Sequence, residues 1–389
     1  MTTQQGYFLI ADITGYTQYL SASELDHAQQ TLAALLNLLI QHTKPPLIIS
    51  RLAGDAVISY GLRDSFFQGQ TFVEMIEDTY VSFRRAIEMM VHNTTCPCNA
   101  CRNIGSLDLK FFVHYGEFAV QKLDAHDELI GSDVNLIHRL TKNHVTEVTG
   151  LRAYTLYSGA AIDQLGLKDD VEDMVALEES YEHLDAVRVF VQDMHPVWEI
   201  KKHEVQVSIP PDKELLRVVA DIALSPEQVW DYLVQPEHYR VLTGGTRVEI
   251  ANRNGARVAT GSVFQCYHGD RSMVEMTILE WQPFERMVSR YPVPIPIKGT
   301  IGLTEIRLEP IEGGTRLTQI LGKSTGPLPG RIMGDIAFRQ MIPAFQADID
   351  RFKAHVEADF AEHGSDLPSA ATITEAMIGA AARASLGAA

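Results

Sequence analysis

The stretch Tyr7-Phe8-Leu9-Ile10-Ala11-Asp12-Ile13-Thr14-Gly15-Tyr16-Thr17 is a short apolar run that ends in an acid and then breaks at Thr14-Gly15. A run of this length closed by a turn reads as a buried strand. Further along, residues 47–50 and 56–60 read as two strands joined by the tight Ala53-Gly54-Asp55 turn, a β-hairpin with a second acid at its tip. Between them, residues 24–41 carry leucines at 32, 35, 36 and 39, the spacing of one apolar helix face, and Pro45-Pro46 stops the helix.

The pattern continues outward from this start. A helix is predicted over residues 71–92, a long strand over 107–123, a helix over 134–142, and strands over 153–157 and 186–192. The order β-α-β-β-α-β predicts an α+β, ferredoxin-like core with additions. If the first strand lies beside the hairpin, Asp12 and Asp55 converge.

From about residue 205 the pattern changes. Ser225-Pro226-Glu227 reads as a helix start with Ser as N-cap and Pro in the first turn. Residues 246–321 are nearly all strand-like, with Asn254-Gly255 and Gly313-Gly314 as hairpin turns. A long amphipathic helix is predicted over 334–360, with apolar residues at 338, 341, 342, 345, 349, 352 and 356. Short helices, a curved antiparallel sheet and a long C-terminal helix describe a helix-grip fold. The predicted domains are 1–198 and 205–362, followed by an Ala-rich tail over 363–389 that is expected to be mobile.

Composition narrows the function classes. The 389 residues carry a formal net charge of −17, so no basic surface is available to track a nucleic acid polymer. The first residues lack a basic leader segment. The apolar stretch from Leu32 to Ile40, interrupted by Asn37, is too short for a membrane span. Three of the four cysteines fall within six residues, which is not a disulfide framework. A cytoplasmic protein is expected.

Two carboxylates at a strand end are what Mg²⁺ or Mn²⁺ takes, because these hard cations prefer oxygen ligands and share phosphate oxygens with a substrate. The backbone amides of Gly15, Tyr16 and Thr17, at a helix start, could hold a phosphate. Asn135 and Arg139 lie four apart and so share a helix face. Taken together, Phe8–Thr17 (FLIADITGYT), Arg51–Tyr60 (RLAGDAVISY) and Gly131–Leu140 (GSDVNLIHRL) resemble, in order, the motifs of the class III nucleotidyl cyclase catalytic domain. The resemblance covers roughly residues 5–195.

It implies that Asp12, Asp55 and the carbonyl of Ile13 hold two metal ions, Mg²⁺ or Mn²⁺, in each site. Asn135 would then orient the ribose of a nucleoside triphosphate, and Arg139 would stabilise charge on its phosphates. The metal carboxylates and the Asn/Arg pair would come from opposite subunits of a homodimer. Where adenylyl cyclases carry Lys and Asp or Thr to read the base, this chain has Arg51 and Glu128. Arg only donates and Glu accepts, so ATP is the first expectation and the base stays open. Alternatively, the two residues pair with each other across the interface.

A second departure is Cys96-Pro97-Cys98-Asn99-Ala100-Cys101. The three thiols could hold Zn²⁺ with His92 or His114 as a fourth ligand, act as a redox sensor, or carry no function. Similar Cys-rich, cyclase-like domains form a bacterial family of unknown function. The second domain resembles the START-like, polyketide cyclase/dehydrase (SRPBCC) superfamily over roughly residues 205–360, including Ala223–Trp230 (ALSPEQVW). That implies an apolar cavity for a hydrophobic small molecule or lipid, with Trp230, Phe264, Tyr267, Met276, Trp281, Phe338 and Phe345 as candidates to line it or simply to pack the core. The expected function is a metal-dependent nucleotidyl cyclase regulated by a hydrophobic ligand. The competing expectation is a non-catalytic nucleotide- or lipid-binding protein.

Overall fold

Residues Gly6 to Ala11 are all buried, because the first strand lies in the middle of a sheet covered on both faces. A computed structural model of the chain describes residues 3–44, 46–63, 69–123, 126–182, 184–203, 207–253, 257–269 and 272–363. The expected turn at Asn254-Gly255 and the tail from residue 364 lie outside them. The chain divides into two compact units, Met1–Val205 and Gln206–Ala389.

The first unit runs β1 (Gln4–Thr14), α1 (Tyr16–Ser21), α2 (Leu25–Thr43), β2 (Ile48–Ala53), β3 (Ala56–Leu62), α3 (Gly69–Asn93), α4 (Asn99–Asn103), β4 (Asp108–Leu123) and β5 (His126–Ile130). It continues with α5 (Ser132–Leu140), α6 (Val145–Thr149), β6 (Tyr154–Ser158), α7 (Gly159–Leu165), β7 (Val175–Glu179), β8 (Val187–Asp193) and α8 (His195–Lys201). The sheet order is β2-β3-β1-β4-β6-β8-β7, with β5 paired to the far end of β4.

Within it, β2-β3-β1-β4 is antiparallel throughout and is the ferredoxin-like core. Even-numbered residues of β1 and β4, such as Phe8, Ile10 and Phe112, share one core with Val134, Ile137 and Leu140 of α5. On α2, the expected apolar face is borne out by buried Leu32, Leu35 and Leu39, while Leu36 stays half-buried.

The second unit comprises β9 (Glu214–Ile222), α9 (Pro226–Val234), α10 (Pro236–Leu242), β10 (Arg247–Asn252), β11 (Val263–Tyr267) and β12 (Met273–Gln282). Then follow β13 (Arg286–Pro292), β14 (Ile301–Ile311), β15 (Gly314–Gly322), α11 (Leu328–Gln340) and α12 (Ile342–His363). Its sheet is antiparallel in the order β10-β11-β12-β13-β14-β15-β9. Helix α9 begins with a full capping box between Ser225 and Gln228, and Pro226 occupies the first turn. The inner sheet face buries Ile349, Phe352 and Val356 of α12 in one core with Trp230 and Phe264.

The single long C-terminal helix expected from periodicity is instead two helices that break at Met341. Pro343 explains the break: it has no amide hydrogen, and its ring would strike the carbonyl of Arg339 in a continuous helix. Met341 and Ile342, expected on the buried face, are therefore exposed at 47% and 39%. Among the described residues no helix is long and apolar enough to cross a membrane.

Candidate active site

Strand pairing brings the two acids together. Asp12 stands opposite Ala56 on β3, one residue past the hairpin turn that carries Asp55. The amide of Ile13 donates to the backbone carbonyl of Asp55 at 3.2 Å, fastening the strand end to the turn. Burial, and then the neighbouring charge of Asp55, push the Asp12 carboxyl up to about 6. Burial also raises Asp55. Lys110, opposite Asp12 on β4, pulls the Asp12 value back down, and burial in turn lowers Lys110.

Two partly buried carboxylates, with the charge of Asp55 disfavouring that of Asp12, form beside Lys110 an oxygen-donor set that a divalent cation would relieve. The donor chemistry therefore fits Mg²⁺ or Mn²⁺. Just past Ile13, Gly15 adopts φ +88°, a left-handed turn that a side chain would strain, and Tyr16 and Thr17 open the short helix α1.

Asn135 and Arg139 are both exposed on α5. That helix is pinned by Asp133, whose Oδ2 accepts the amide of Glu117 at 2.6 Å. A Cβ at Gly116 would stand 2.3 Å from the Asp133 carboxylate, so only glycine permits this approach. His114, stacked on Phe8, places Nδ1 2.7 Å from Ser158 Oγ and Nε2 3.3 Å from Asp133.

Arg51 and Glu128 meet within one chain, at 3.3 Å from Nη1 to Oε2, rather than across an interface. A register shift between Ile49 and Arg51 sets Arg51 opposite Ile58, whose side chain lies in the core beneath α5. His138 joins the pair, its Nε2 3.4 Å from Arg51 Nη2. A guanidinium only donates, so Nε2 must accept, which fixes the neutral Nδ1–H form of His138. Burial and then the Arg51 charge lower His138, consistent with that form. Sequence reasoning gives His138 only a solvated or structural role; the signal for more is its step of three residues from Asn135 on the same helix.

The cysteine loop gathers as expected, but its histidine is different. His92 Nδ1 is taken up by the carbonyl of Glu88 at 2.8 Å, and His114 is buried in the core. It is His27, on α2, that faces Cys96, Cys98 and Cys101.

In the second unit, Trp230, Phe264, Met276, Trp281 and Phe338 share the inner core, with Phe345 packed against it. Tyr267 does not join them. The alternation of β11 buries Phe264 and Cys266 and turns Tyr267 outward, where Arg247 lies 4.2 Å over its ring.

Sequence reasoning also missed a polar row on this inner face. Ser289, Thr304 and Gln319 sit in alternation with core residues of β13, β14 and β15, buried to 0%, 5% and 7% exposure. Ser289 is directly opposite Thr304, and Gln319 opposite Ile306 one step along. Among the described residues, their Oγ, Oγ1 and Oε1 atoms find no hydrogen-bond partner.

Residues 214–357 match the family model described as polyketide cyclase / dehydrase and lipid transport. Residues 32–149, which include the cysteine loop, match a second model, a protein of unknown function (DUF2652). An uncharacterized protein of Mycobacterium tuberculosis is 41% identical over 63 residues, 16% of this chain and 30% of that protein. The chain thus matches less than a third of that relative's length.

Among solved structures, the N-terminal half is similar to nucleotidyl cyclase domains. The guanylyl cyclase Cya2 is 14% identical at a TM-score of 0.37, over 49% of this chain and 92% of that one. The adenylyl cyclase CyaB from P. aeruginosa is 15% identical at 0.34, over 49% and 95%. The guanylate cyclase domain of RhGC from Catenaria anguillulae, in complex with GTP, is 17% identical at 0.32, over 50% and 99%.

Proposed function

We propose that the first unit is a metal-dependent nucleotidyl cyclase that works as a homodimer, and that the second unit binds a hydrophobic molecule that regulates it. The observation that carries the reading is the strand pairing that sets Asp12, at the end of β1, beside the hairpin turn that carries Asp55, with burial raising both carboxylates.

Asp12, Asp55 and the Ile13 carbonyl are the ligands for two divalent cations. When bound, Mg²⁺ or Mn²⁺ lowers the pKa of the ribose 3′-hydroxyl and neutralises triphosphate charge. Asn135 orients the ribose, and the amides of Gly15, Tyr16 and Thr17 face the phosphates. Arg139 holds the charge that develops as the 3′-oxygen bonds to the α-phosphorus and the bridging bond to the β-phosphate breaks. Pyrophosphate leaves, and the hydroxyl proton passes to water. Both Asn135 and Arg139 are exposed on α5, as a site completed by a second copy requires.

ATP is the first substrate to test, with GTP next, because Arg51 can donate to a base acceptor while Glu128 accepts from an amine or ring N–H. In the second unit, the unpartnered Ser289–Thr304–Gln319 row supports a ligand with an apolar body and a polar group.

A second reading has one specific observation in its favour. Arg51 and Glu128 already satisfy each other, as they would in a cyclase fold that binds a nucleotide or nothing and has given up turnover. The test is incubation with ATP, GTP, CTP and UTP in Mn²⁺ and then Mg²⁺, with mass spectrometry for a 3′,5′-cyclic product. A product lost in Asp55→Ala and in Arg139→Ala supports the cyclase; no product under any condition favours the binding module.

A further inference from the structure

Three thiols and one imidazole converge on a point that lies apart from the carboxylate pair. His27 Nδ1 is 3.2 Å from Cys98 Sγ, 3.6 Å from Cys96 Sγ and 3.7 Å from Cys101 Sγ. All four ligand atoms lie within 4.8 Å of one another. A tetrahedral Zn²⁺ with sulfur at ~2.3 Å and nitrogen at ~2.05 Å separates those atoms by about 3.6 Å. The three observed N···S distances bracket that value.

The local chain is built to hold such an ion. Cys98 is the N-cap of α4, and its Sγ accepts the amide of Cys101 at 3.4 Å, so a backbone dipole already points at a ligand sulfur. Glu24, at the start of α2, accepts the amide of Ala100 at 3.0 Å, which holds its carboxyl below the usual range and ties the cysteine loop to the helix that carries His27. All three cysteines are free thiols. Soft thiolates with an imidazole select zinc over the hard cations suited to Asp12 and Asp55.

We propose that His27, Cys96, Cys98 and Cys101 bind one Zn²⁺ in a closed, structural Cys₃His site. The ion staples the start of α2 to α4. Just beyond α4, the carbonyl of Ser106 lies 3.3 Å from where a Cβ on Gly15 would stand, and it accepts Arg152 Nη2 at 3.2 Å. The carbonyl of Arg152 in turn accepts Thr14 Oγ1 at 3.3 Å. The staple therefore braces the Thr14-Gly15 turn that follows Asp12. The zinc site itself shares no residue with the cyclase reading and stands or falls without it.

The full-length protein, purified without chelator, should carry one Zn²⁺ per chain by elemental analysis. After stripping, reloading with Co²⁺ should give the visible bands of a tetrahedral ion and a near-ultraviolet thiolate charge-transfer band. His27→Ala and Cys98→Ser should each weaken zinc binding at least about 100-fold, while His92→Ala and Cys266→Ser leave it unchanged. Because the first two variants could fail to fold, the wild-type protein supplies a second measurement: zinc added back to stripped protein should raise its thermal midpoint. The proposal is overturned if folded protein takes up neither zinc nor cobalt stoichiometrically. It is equally overturned if two of the thiols are found as a disulfide in the native protein, or if His27→Ala binds zinc as tightly as wild type.

Discussion

The guanidinium of Arg51 rests 3.3 Å from the carboxylate of Glu128 in the same chain, so the two side chains proposed to read a base edge already occupy one another. Both are substantially exposed, at 47% and 37%, and such a pair adds little to stability. Its separation therefore costs little, and a base presenting an acceptor beside a donor can take both partners. Arg51→Ala should lower kcat/KM for the preferred nucleotide by about 10–100-fold more than for its competitor, without unfolding the protein. Comparing the ATP and GTP ratios before and after substitution checks this; an unchanged ratio removes Arg51 from base reading.

Asp12 carries a cost that the metal-free protein must bear. Its folded value of about 6 lies above the ordinary 3.8, so the folded state binds more protons across that window and stability falls as pH rises through it. Above pH 6 the cost is complete, on the order of 2–3 kcal/mol; below pH 4 both states are protonated and it vanishes. Asp12→Asn should therefore raise the metal-free thermal midpoint at pH 8, by roughly 2–4 °C per kcal/mol recovered. It should have little effect at pH 4 and should abolish any stabilisation by Mn²⁺. A midpoint that drops at pH 8 would contradict the charge argument.

His114 predicts a slope of the opposite sign. Burial holds it below its ordinary 6.5, so it stays neutral in the core while the unfolded chain takes up a proton as pH falls below that value. Stability is fully present above pH 6.5 and declines beneath it. Denaturant titrations at pH 7.5 and 5.5 should differ, and His114→Gln should flatten the difference by removing the titrating group.

The polar row in the second unit makes a stability prediction and a binding prediction with opposite signs. Each unpartnered buried hydroxyl costs about 1–3 kcal/mol, so Thr304→Val, which keeps the shape, should raise the thermal midpoint of the ligand-free protein. The same change should weaken binding of long-chain fatty acids or alcohols while sparing the hydrocarbon of equal length. Equal losses for both probes would show that the row does not contact the ligand's polar group.

What the sequence made legible was local. The apolar run before Asp12, the Gly54 turn and the Ser225 N-cap are set by neighbours a few residues away, and each appears where the pattern put it. Two kinds of feature escaped. The Met341 break needed the single fact that Pro343 cannot continue a helix, which periodicity alone overlooks. The approach of His27 to Cys98 joins residues 71 apart in sequence, and the Arg51–Glu128 pairing, which the sequence offered only across an interface, joins residues 77 apart within one chain. Spacing rules reach only one turn or one strand step, so neither placement could be read without the fold.

The central claim is a cyclase whose site takes Asp12 and Asp55 from one copy and Asn135 and Arg139 from the other. Complementation tests it most directly. Asp55→Ala and Arg139→Ala are each predicted to be inactive in forming a cyclic nucleotide. Mixed in equal amounts and allowed to exchange subunits, they form mixed dimers in which one of the two sites has both sets intact. About half the dimers are mixed and half their sites are whole, so activity should return to about a quarter of wild type. A mixture as silent as its parts, beside an active wild type, would contradict the shared site; a wild type that forms no cyclic product would contradict the cyclase itself.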